Sequence, residues 1–369
     1  MNVEKLSLIN FKNYLEITLD FSAQINCIVG SNGAGKTNLL DAIHYLSLTK
    51  SAFNSVDAQN IMFEQDFFMI KGIIERDGKK EVLCSVRKGK KKTFKVNKSE
   101  YEKLSHHLGR YPVVLVAPDD SEMIKGSSEL RRKFFDSIIC QLDSDYLKSL
   151  VRYNHFLKQR NALLKKFKEG LSFDADLLLP YDQELIELNT LIHQTRSDFM
   201  VGFNETFNQA YKSLSMEKEN MGIAYESLVR QDLRQLFDNA LDKDKALERT
   251  TVGIHRDDFK FLIDNRPVKK FGSQGQQKSF LLALKMAHYQ SVRDSKGFSP
   301  ILMLDDVFDK LDMERISRLL QIISKDDFGQ IFITDARAER TIQLLKELNL
   351  TASFYFIESG MLSNKSVAV

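Results

Sequence analysis

Residues 25–48, INCIVGSNGAGKTNLLDAIHYLSL, decide the fold, because they join a buried strand, a glycine-rich loop and a helix. The apolar run at 25–29 is typical of a buried strand, and an amphipathic helical pattern begins near residue 36. Between them, GSNGAGKT at 30–37 fits the spacing G-x-x-x-x-G-K-[ST]. In that context the loop is predicted to bind phosphate through backbone N–H groups and the positive end of the helix.

The P-loop assigns an expected role to each of its residues. Lys36 is expected to reach the β- and γ-phosphates, and the Thr37 hydroxyl to ligate Mg²⁺, which prefers hard oxygen ligands. A glycine loop that arises by chance is the alternative, and the flanking strand and helix argue against it. The residues expected to bind the nucleotide are Gly30, Ser31, Asn32, Gly33, Ala34, Gly35, Lys36, Thr37 and Asn38.

A carboxylate pair follows a second buried strand. In ILMLDDVFDKLD, residues 301–312, four apolar residues end in Asp305 and Asp306. A P-loop needs a carboxylate for its metal at the end of a neighbouring strand. We therefore expect Asp305 to bind Mg²⁺, largely through water, and Asp306 to orient the attacking water. Because Asp is common where strands end, the pair is informative only together with the P-loop.

A donor-rich turn begins another helical pattern in FGSQGQQKSF, residues 271–280. A helix N-terminus of this kind is suited to bind phosphate. If the turn lay at the site of its own subunit, a monomer could hydrolyse ATP efficiently. If it faced the nucleotide of another subunit, that nucleotide would hold two chains together. The residues expected to form this second phosphate-binding turn are Ser273, Gln274, Gly275 and Gln276.

Composition restricts the class of protein. The chain has 369 residues, 43% hydrophobic and 28% charged, which is enough for more than one domain. No apolar run approaches the roughly 20 residues of a membrane span, and a signal-peptide core is lacking, so a cytoplasmic protein is expected. Cys27, Cys84 and Cys140 lie far apart without metal-ligand spacing, and are expected to be reduced thiols.

The pattern of apolar residues divides the chain. Strand patterns occupy the first part and return after residue 259, whereas apolar residues at helical spacing dominate 119–249. The break at 169–183 predicts a loop between two long antiparallel helices. We expect an ATPase-type head in two parts, 1–120 and 250–369, with a helical arm inserted at 121–249.

The order of these motifs resembles the ABC-type ATPase heads of the SMC class, and more narrowly the RecF family of bacterial recombination mediators. The matching stretches are LINFKNY at 8–14, GSNGAGKTNLLDAI at 30–43, RRKFFD at 131–136, TTVGIHRDDF at 250–259, FGSQGQQKSF at 271–280 and LMLDDVFDKLD at 302–312. The resemblance implies an α/β fold: an ABC-type P-loop ATPase head, with a mixed sheet plus an antiparallel β meander, and an inserted α-helical lever arm.

The same resemblance implies a function. It implies an ATP-dependent homodimer in which the turn from Ser273 to Lys278 caps the partner's ATP, with Asp309 and Asp312 in the segment that crosses between subunits. It implies weak, DNA-stimulated ATP hydrolysis that serves as a switch. It also implies binding to single- and double-stranded DNA at gaps, cooperation with RecR and RecO in loading RecA, and a nucleoid-associated location.

Basic residues supply candidate contacts to DNA phosphates, although a solvated hairpin is the alternative for the meander. Residues 71–110 hold thirteen Lys and Arg against five Asp and Glu, on a chain whose net charge is only +3. The expected contacts are Lys90, Lys91, Lys92, Arg131 and Arg132, with further candidates at Lys88, Lys95, Lys133, Lys158, Arg160, Lys165 and Lys166.

Three positions depart from related patterns. ABC transporters have Glu where this chain has Asp306, and the shorter side chain predicts slow hydrolysis. Where transporters have His, this chain offers Thr334 or Asp335 as a sensor of the γ-phosphate. Many RecF-like chains have an Arg soon after the P-loop helix, whereas this chain has only Lys50.

One motif and three other classes of protein stay open as alternatives. GIHRDDF at 253–259 suggests either a catalytic or metal cluster, or a salt-bridged turn. The long helical arm argues against a transporter ATPase. In a small-molecule kinase, the SQGQQK turn and the arm would have no function. An SMC-like structural protein needs a coiled coil far longer than the roughly 100 to 130 residues of the arm.

Overall fold

The computed structural model describes residues 1–170, 172–215, 219–230, 232–309, 311–324 and 328–368. Its strands are β1 Asn2–Phe11, β2 Tyr14–Asp20, β3 Ile25–Val29, β4 Phe67–Glu75, β5 Lys79–Arg87, β6 Thr93–Val96, β7 Ser99–Glu100, β8 Val113–Val116, β9 Met221–Glu226, β10 Asp258–Ile263, β11 Arg266–Pro267, β12 Ile301–Leu304, β13 Ile331–Asp335, β14 Ala352–Glu358 and β15 Met361–Ala368. Its α-helices are α1 Lys36–Leu48, α2 Glu122–Lys125, α3 Ser128–Leu142, α4 Ser144–Lys168, α5 Leu179–Leu214, α6 Leu233–Leu247, α7 Val268–Phe271, α8 Gln274–Lys296, α9 Met313–Ile323 and α10 Ala338–Glu347.

Two six-stranded sheets build a head unit, which comprises Met1–Ser121, Gln209–Glu217 and Gln274–Val369. The first sheet, in the order β2-β1-β4-β5-β6-β7, is antiparallel throughout. The second, β15-β14-β3-β13-β12-β8, pairs its strands in parallel except for β15. The expected meander and mixed sheet of an ABC-type head are thus confirmed.

The P-loop helix is fixed by the core of the head. Helix α1 contacts β4 and β5 of the first sheet and β13 of the second. Its residues Leu39 and Leu46 are fully buried in a cluster with Phe68 of the first sheet and Phe332 of the second. Burial of such side chains contributes about 1.5–3 kcal/mol each, so the helix that carries the P-loop is held rigidly.

Strand direction brings the motifs together at one edge of the second sheet. Strands β3, β13 and β12 are parallel neighbours, with Asp335 paired to Val29 and Leu304 to Ile333. Parallel strands end at the same edge, where α/β sheets bind ligands. The P-loop after β3 and Asp305 after β12 therefore meet at this edge, although 268 residues separate Thr37 from Asp305.

The second unit comprises Glu122–Asn208 and Lys218–Ser273, and holds the long helix α4 and α5 as far as Asn208. It extends beyond the expected end of the arm at residue 249, because β9 within the expected arm pairs with β10 beyond it. The hydrogen bonds of this pairing tie 258–263 to the arm and not to the head. Among the described residues, no helix is both long and apolar enough to cross a bilayer.

Candidate functional site

The P-loop lines a cavity in the head unit. The cavity measures about 400 Å³ and is lined by Asn32, Gly33, Gly35, Lys36, Thr37, Asn38, Pro118 and Asp306. The side chain of Lys36 is almost fully buried, and its Nζ donates to the carbonyl oxygens of Gly30 at 2.9 Å and Ser31 at 3.1 Å. Its ammonium group therefore lies across the loop, where a phosphate oxygen could replace these carbonyl acceptors.

Asp305 is joined to the P-loop by hydrogen bonds. The Thr37 hydroxyl lies 2.9 and 3.0 Å from the two carboxylate oxygens of Asp305, and the Thr334 hydroxyl donates to Oδ1 at 2.7 Å. Burial raises the pKa of Asp305, and the charge of Asp306 acts in the same direction, while the two threonine donors oppose the shift. The arrangement offers a hydroxyl and a carboxylate as hard oxygen ligands for a divalent cation.

Asp306 lines the cavity from a left-handed backbone. Its φ angle is 47°, a conformation that costs an ordinary residue about 1–2 kcal/mol and that Asp tolerates better than most. The backbone N–H of Asp306 donates to the Thr334 hydroxyl at 2.9 Å. Thr334 therefore contacts both carboxylate residues, through the side chain of one and the backbone of the other.

Asp335, the other residue offered as a γ-phosphate sensor, is fully engaged elsewhere. Its carboxylate accepts from the Arg340 guanidinium at 2.6 and 3.2 Å and from the Thr341 hydroxyl at 2.6 Å. It also accepts from the backbone N–H of Arg337 at 3.0 Å. These contacts stabilise the start of α10, so the Asp335 side chain has a structural role here and Thr334 is the residue beside the carboxylates.

The turn between β1 and β2 also belongs to the site, although its sequence predicted no role. Asn13 Nδ2 donates to the Ala34 carbonyl at 3.0 Å and the Tyr14 hydroxyl to the Gly35 carbonyl at 2.9 Å. The signal in the sequence is the stretch LINFKNY at 8–14, which matches the RecF-like pattern and contains Asn13 and Tyr14. That signal does not indicate which distant segment the turn contacts.

The turn expected to bind a second phosphate lies at the start of α8. Ser273 and Gln274 are exposed, and Gln274 is the first residue of the helix. A Cβ on Gly275 would lie 3.0 Å from Nη2 of Arg315, whose Nε donates to Ser279 at 2.8 Å. Arg315 also pairs with Asp312, whereas Lys310 and the side chain of Asp309 lie outside the described residues.

The basic turn between β5 and β6 divides into two kinds of lysine. Lys90 and Lys91 are exposed. Lys92 instead donates to the Thr49 carbonyl at 2.6 Å and to Asp57 Oδ2 at 2.8 Å. Its ammonium group is largely buried and ties the turn to the segment after α1, so the expectation that Lys92 contacts DNA is not supported by its geometry.

The arginines expected at DNA make internal contacts in the second unit. Arg131 forms two hydrogen bonds to the Asp258 carboxylate at 2.8 and 2.9 Å, and Arg132 donates to the Asp257 carbonyl at 2.6 Å. Arg160, a further candidate, is fully buried. These guanidinium groups hold the fold of the arm, because each already has an acceptor inside the protein.

The GIHRDDF motif lies in the same unit, where its residues make internal hydrogen bonds. His255 Nε2 lies 3.0 Å from the Thr250 carbonyl, which can only accept, so the neutral ring donates there and accepts from the Tyr153 hydroxyl at 2.7 Å. Burial lowers the pKa of His255 to about 4, which keeps the ring neutral. Arg256 alone in the motif is exposed. The motif matches a salt-bridged turn, one of the two alternatives.

Comparisons with known proteins agree with this architecture. The family model described as RecF/RecN/SMC N terminal domain matches residues 2–353. The DNA replication and repair protein RecF of Flavobacterium johnsoniae is 44% identical over 357 residues, covering 96% of this chain and 99% of the relative. That of Phocaeicola vulgatus is 40% identical and covers 99% of both chains.

Solved structures show the same likeness. The recombination mediator protein RecF bound to ATP, in the RecFOR pathway, superposes with a TM-score of 0.89 at 28% identity, covering 99% of this chain and 97% of that one. A head domain of Smc from Pyrococcus furiosus has a TM-score of 0.54 at 17% identity, which supports the fold alone. The chain therefore belongs to the RecF family of DNA replication and repair proteins, within the wider RecF/RecN/SMC family.

Proposed function

We propose that this chain is an ATP-dependent DNA-binding protein of recombinational DNA repair and replication restart. ATP holds two copies together on DNA, and slow hydrolysis releases them. The observation that carries the proposal is the contact of the Thr37 hydroxyl with the Asp305 carboxylate at 2.9 and 3.0 Å. It joins the P-loop to the carboxylate strand beside a cavity lined by Lys36 and by P-loop backbone.

The P-loop cavity suits a nucleoside triphosphate with Mg²⁺. The amides of Gly33, Gly35 and Lys36 and the Lys36 ammonium group would bind phosphate oxygens. Thr37 and Asp305 would hold Mg²⁺, because a hydroxyl and a carboxylate at hydrogen-bond distance from each other can share one small cation. When held there by Thr37 and Asp305, Mg²⁺ would supply positive charge to offset the negative charge of the phosphates.

Asp306 is proposed to orient the attacking water. It lines the cavity, and its backbone direction is fixed by the hydrogen bond from its N–H to Thr334. A carboxylate one methylene shorter than Glu reaches less far toward the γ-phosphate, which favours slow hydrolysis, as expected of a switch. Thr334 is proposed as a positioning residue that acts through both carboxylates, since its hydroxyl contacts Asp305 and Asp306.

The signature turn is proposed to cap the ATP of a second copy. In the described part of the head unit, Gln274, Gly275 and Gln276 are not among the residues that line the P-loop cavity. A phosphate-binding helix start that does not line the nucleotide cavity of its own subunit is suited to bind the nucleotide of another subunit. The solved relative bound to ATP supports ATP as the nucleotide, since its fold matches over nearly the whole chain.

DNA is proposed to bind through sequence-independent phosphate contacts, with Lys90 and Lys91 as the primary candidates because both ammonium groups are exposed. Exposed lysines of α4, at 158, 165 and 166, are secondary candidates. Cooperation with RecR and RecO in loading RecA at gaps, and association with the nucleoid, rest on family membership alone.

The experiment is molar mass in solution by light scattering after size exclusion, without nucleotide, with ADP and with ATP–Mg²⁺. Lys36→Met should abolish ATP binding and dimer. Ser273→Arg should keep ATP binding but lose the dimer, since Ser273 is exposed at the start of α8. Arg152→Ala, which changes an exposed arginine on α4, is the matched control and should dimerise as the wild type does.

Each outcome decides between parts of the proposal. A dimer with ATP only, lost in both site variants, supports capping across subunits, and DNA titration of the ATP form is then the next step. A wild type that stays monomeric with ATP demonstrably bound contradicts capping for the isolated protein. A dimer that persists in Ser273→Arg contradicts the role of the signature turn.

A further inference from the structure

We propose that Asn13, in the turn between β1 and β2, and Tyr14, the first residue of β2, are positioning residues that orient the phosphate-binding amides of Gly35 and Lys36. The inference rests on the proposed binding of ATP and deepens it. It assigns part of the affinity for phosphate to side chains that do not belong to the P-loop and do not themselves face the cavity.

Three hydrogen bonds from outside the loop and its helix hold two consecutive carbonyl groups of the loop. The Gly35 carbonyl also accepts from the backbone N–H groups of Asn38 at 2.9 Å and Leu39 at 3.2 Å, within the first turn of α1. Asn13 Nδ2 and the backbone N–H of Gly360 both donate to the Ala34 carbonyl at 3.0 Å. The Tyr14 hydroxyl donates to the Gly35 carbonyl at 2.9 Å. Asn38 Nδ2 donates to Asn13 Oδ1 at 2.8 Å, which leaves the amide nitrogen of Asn13 facing Ala34.

Peptide planarity converts these contacts into a direction for the N–H groups. In a trans peptide, the C=O of one residue and the N–H of the next point in opposite directions. A carbonyl of Ala34 held toward Asn13 turns the N–H of Gly35 away from the turn, and Tyr14 does the same for the N–H of Lys36. At the first turn of a helix such N–H groups lack an intrahelical acceptor, and both residues line the cavity.

The close approach of the turn also accounts for the glycine at position 35. Its φ angle is 115°, and a Cβ there would lie 2.6 Å from Asn13 Nδ2 and 2.7 Å from the Tyr14 hydroxyl. Tyr14 is fully buried, and burial raises the pKa of its phenol, so the hydroxyl stays protonated and remains a donor at neutral pH.

The test compares two buried tyrosines of the head unit that differ in what they hold. Tyr14→Phe removes the bond to Gly35, whereas Tyr355→Phe removes a bond of the same kind to the Asp20 carbonyl at 2.8 Å. Dissociation constants for ATP and for tripolyphosphate are measured by competition with a fluorescent ATP analogue. The unfolding midpoint, KM and kcat are recorded for both variants.

We expect Tyr14→Phe to weaken binding of ATP and of tripolyphosphate about 3- to 10-fold, as for one lost hydrogen bond. KM should rise in parallel while kcat stays within about 2-fold. Tyr355→Phe should keep both affinities although its unfolding midpoint falls. Asn13→Ser, which shortens the side chain away from Ala34, should repeat the result if Tyr14→Phe folds poorly.

Failure of this inference is distinguishable from failure of the proposed function. A wild type that binds neither ATP nor tripolyphosphate overturns both. A wild type that binds ATP, beside a Tyr14→Phe variant that binds equally well, overturns only the positioning role. Loss of ATP affinity without loss of tripolyphosphate affinity also overturns it, because the effect would then act on the base or sugar and not on the phosphates.

Discussion

At the scale of single residues, the hydroxyl of Thr334 contacts both carboxylate residues of the candidate site. It donates to Asp305 at 2.7 Å and accepts from the N–H of Asp306 at 2.9 Å. Thr334→Val keeps the shape and removes both bonds. A hydrogen bond to a charged group contributes about 1.5–3 kcal/mol, so we expect kcat for ATP hydrolysis to fall at least about 10-fold while the ATP dissociation constant changes less than about 3-fold.

Two further variants are controls for the predicted loss of ATP hydrolysis in Thr334→Val. Thr334→Ser restores the hydroxyl and should recover most of kcat. Thr341→Val removes another fully buried threonine hydroxyl, 2.6 Å from Asp335, and should affect stability more than hydrolysis. Steady-state phosphate release at saturating ATP is the measurement. A Thr334→Val variant with normal kcat would show that the carboxylates keep their geometry without it.

The same residues show where inference from sequence ends. The P-loop and the carboxylate pair follow from spacing and flanking strands, and the structure brings them into contact. Thr334 and Asp335 could not be separated, because successive residues of a strand point to opposite faces and the sequence does not say which face meets the site. Likewise, Lys92 and Arg160 carry charges typical of a surface, and only the fold reveals their carboxylate partners and the burial of their own side chains.

At the scale of elements, the turn between β5 and β6 offers a test of DNA binding. Removing a phosphate contact lowers the magnitude of the slope of log K against log salt by about 0.7–0.9. The double change of Lys90 and Lys91 to Ala should therefore weaken binding to any sequence and reduce the magnitude of that slope by about 1.4–1.8. Lys92→Ala should leave the slope unchanged, since its ammonium group is bound to Asp57. Fluorescence anisotropy over a salt series measures both.

Arg196 of α5 is the centre of a buried ion network. The network also includes Asp136 of α3 and Asp257, which directly precedes β10. The guanidinium, 1% exposed, donates to Asp136 at 2.9 and 3.0 Å and to Asp257 at 3.0 Å. Arg196→Met leaves buried carboxylates without their cation, a change that costs about 3–5 kcal/mol. Urea unfolding followed by circular dichroism should show this loss. Lys148→Met, from an exposed pair with Asp145, should cost less than about 1 kcal/mol.

Strand β9 explains why the arm was only partly predictable. Its sequence, MGIAYE, is short and lies among residues with helical spacing, so local pattern alone does not favour a strand. Pairing with β10, from Asp258↔Glu226 to Ile263↔Met221, supplies the stabilisation that its sequence lacks. The long helices α4 and α5 were predictable, because their apolar residues recur at helical spacing over many turns. A few residues that depart from this spacing do not obscure such a long pattern.

At the scale of the whole molecule, each unit contains a buried neutral histidine. Burial lowers the pKa of His107 in the head and of His255 in the second unit to about 4. An unfolded histidine titrates near 6.5, so between these values the unfolded chain binds more protons than the folded one. Stability therefore rises with pH through this window, and it is lost as pH falls from about 6.5 toward 4.

The two histidines should contribute separately to this acid sensitivity. From pH 7 to pH 5, each contributes a loss of about 2 kcal/mol in the free energy of unfolding. His107→Gln and His255→Gln keep a donor and an acceptor but cannot titrate, so each should remove its own share of the loss. His155→Gln, on the exposed face of α4, should leave the pH dependence unchanged. Urea unfolding at pH 7 and pH 5 gives the four comparisons. An equal loss in wild type and both buried-site variants would show that other groups, such as paired carboxylates, control the acid response.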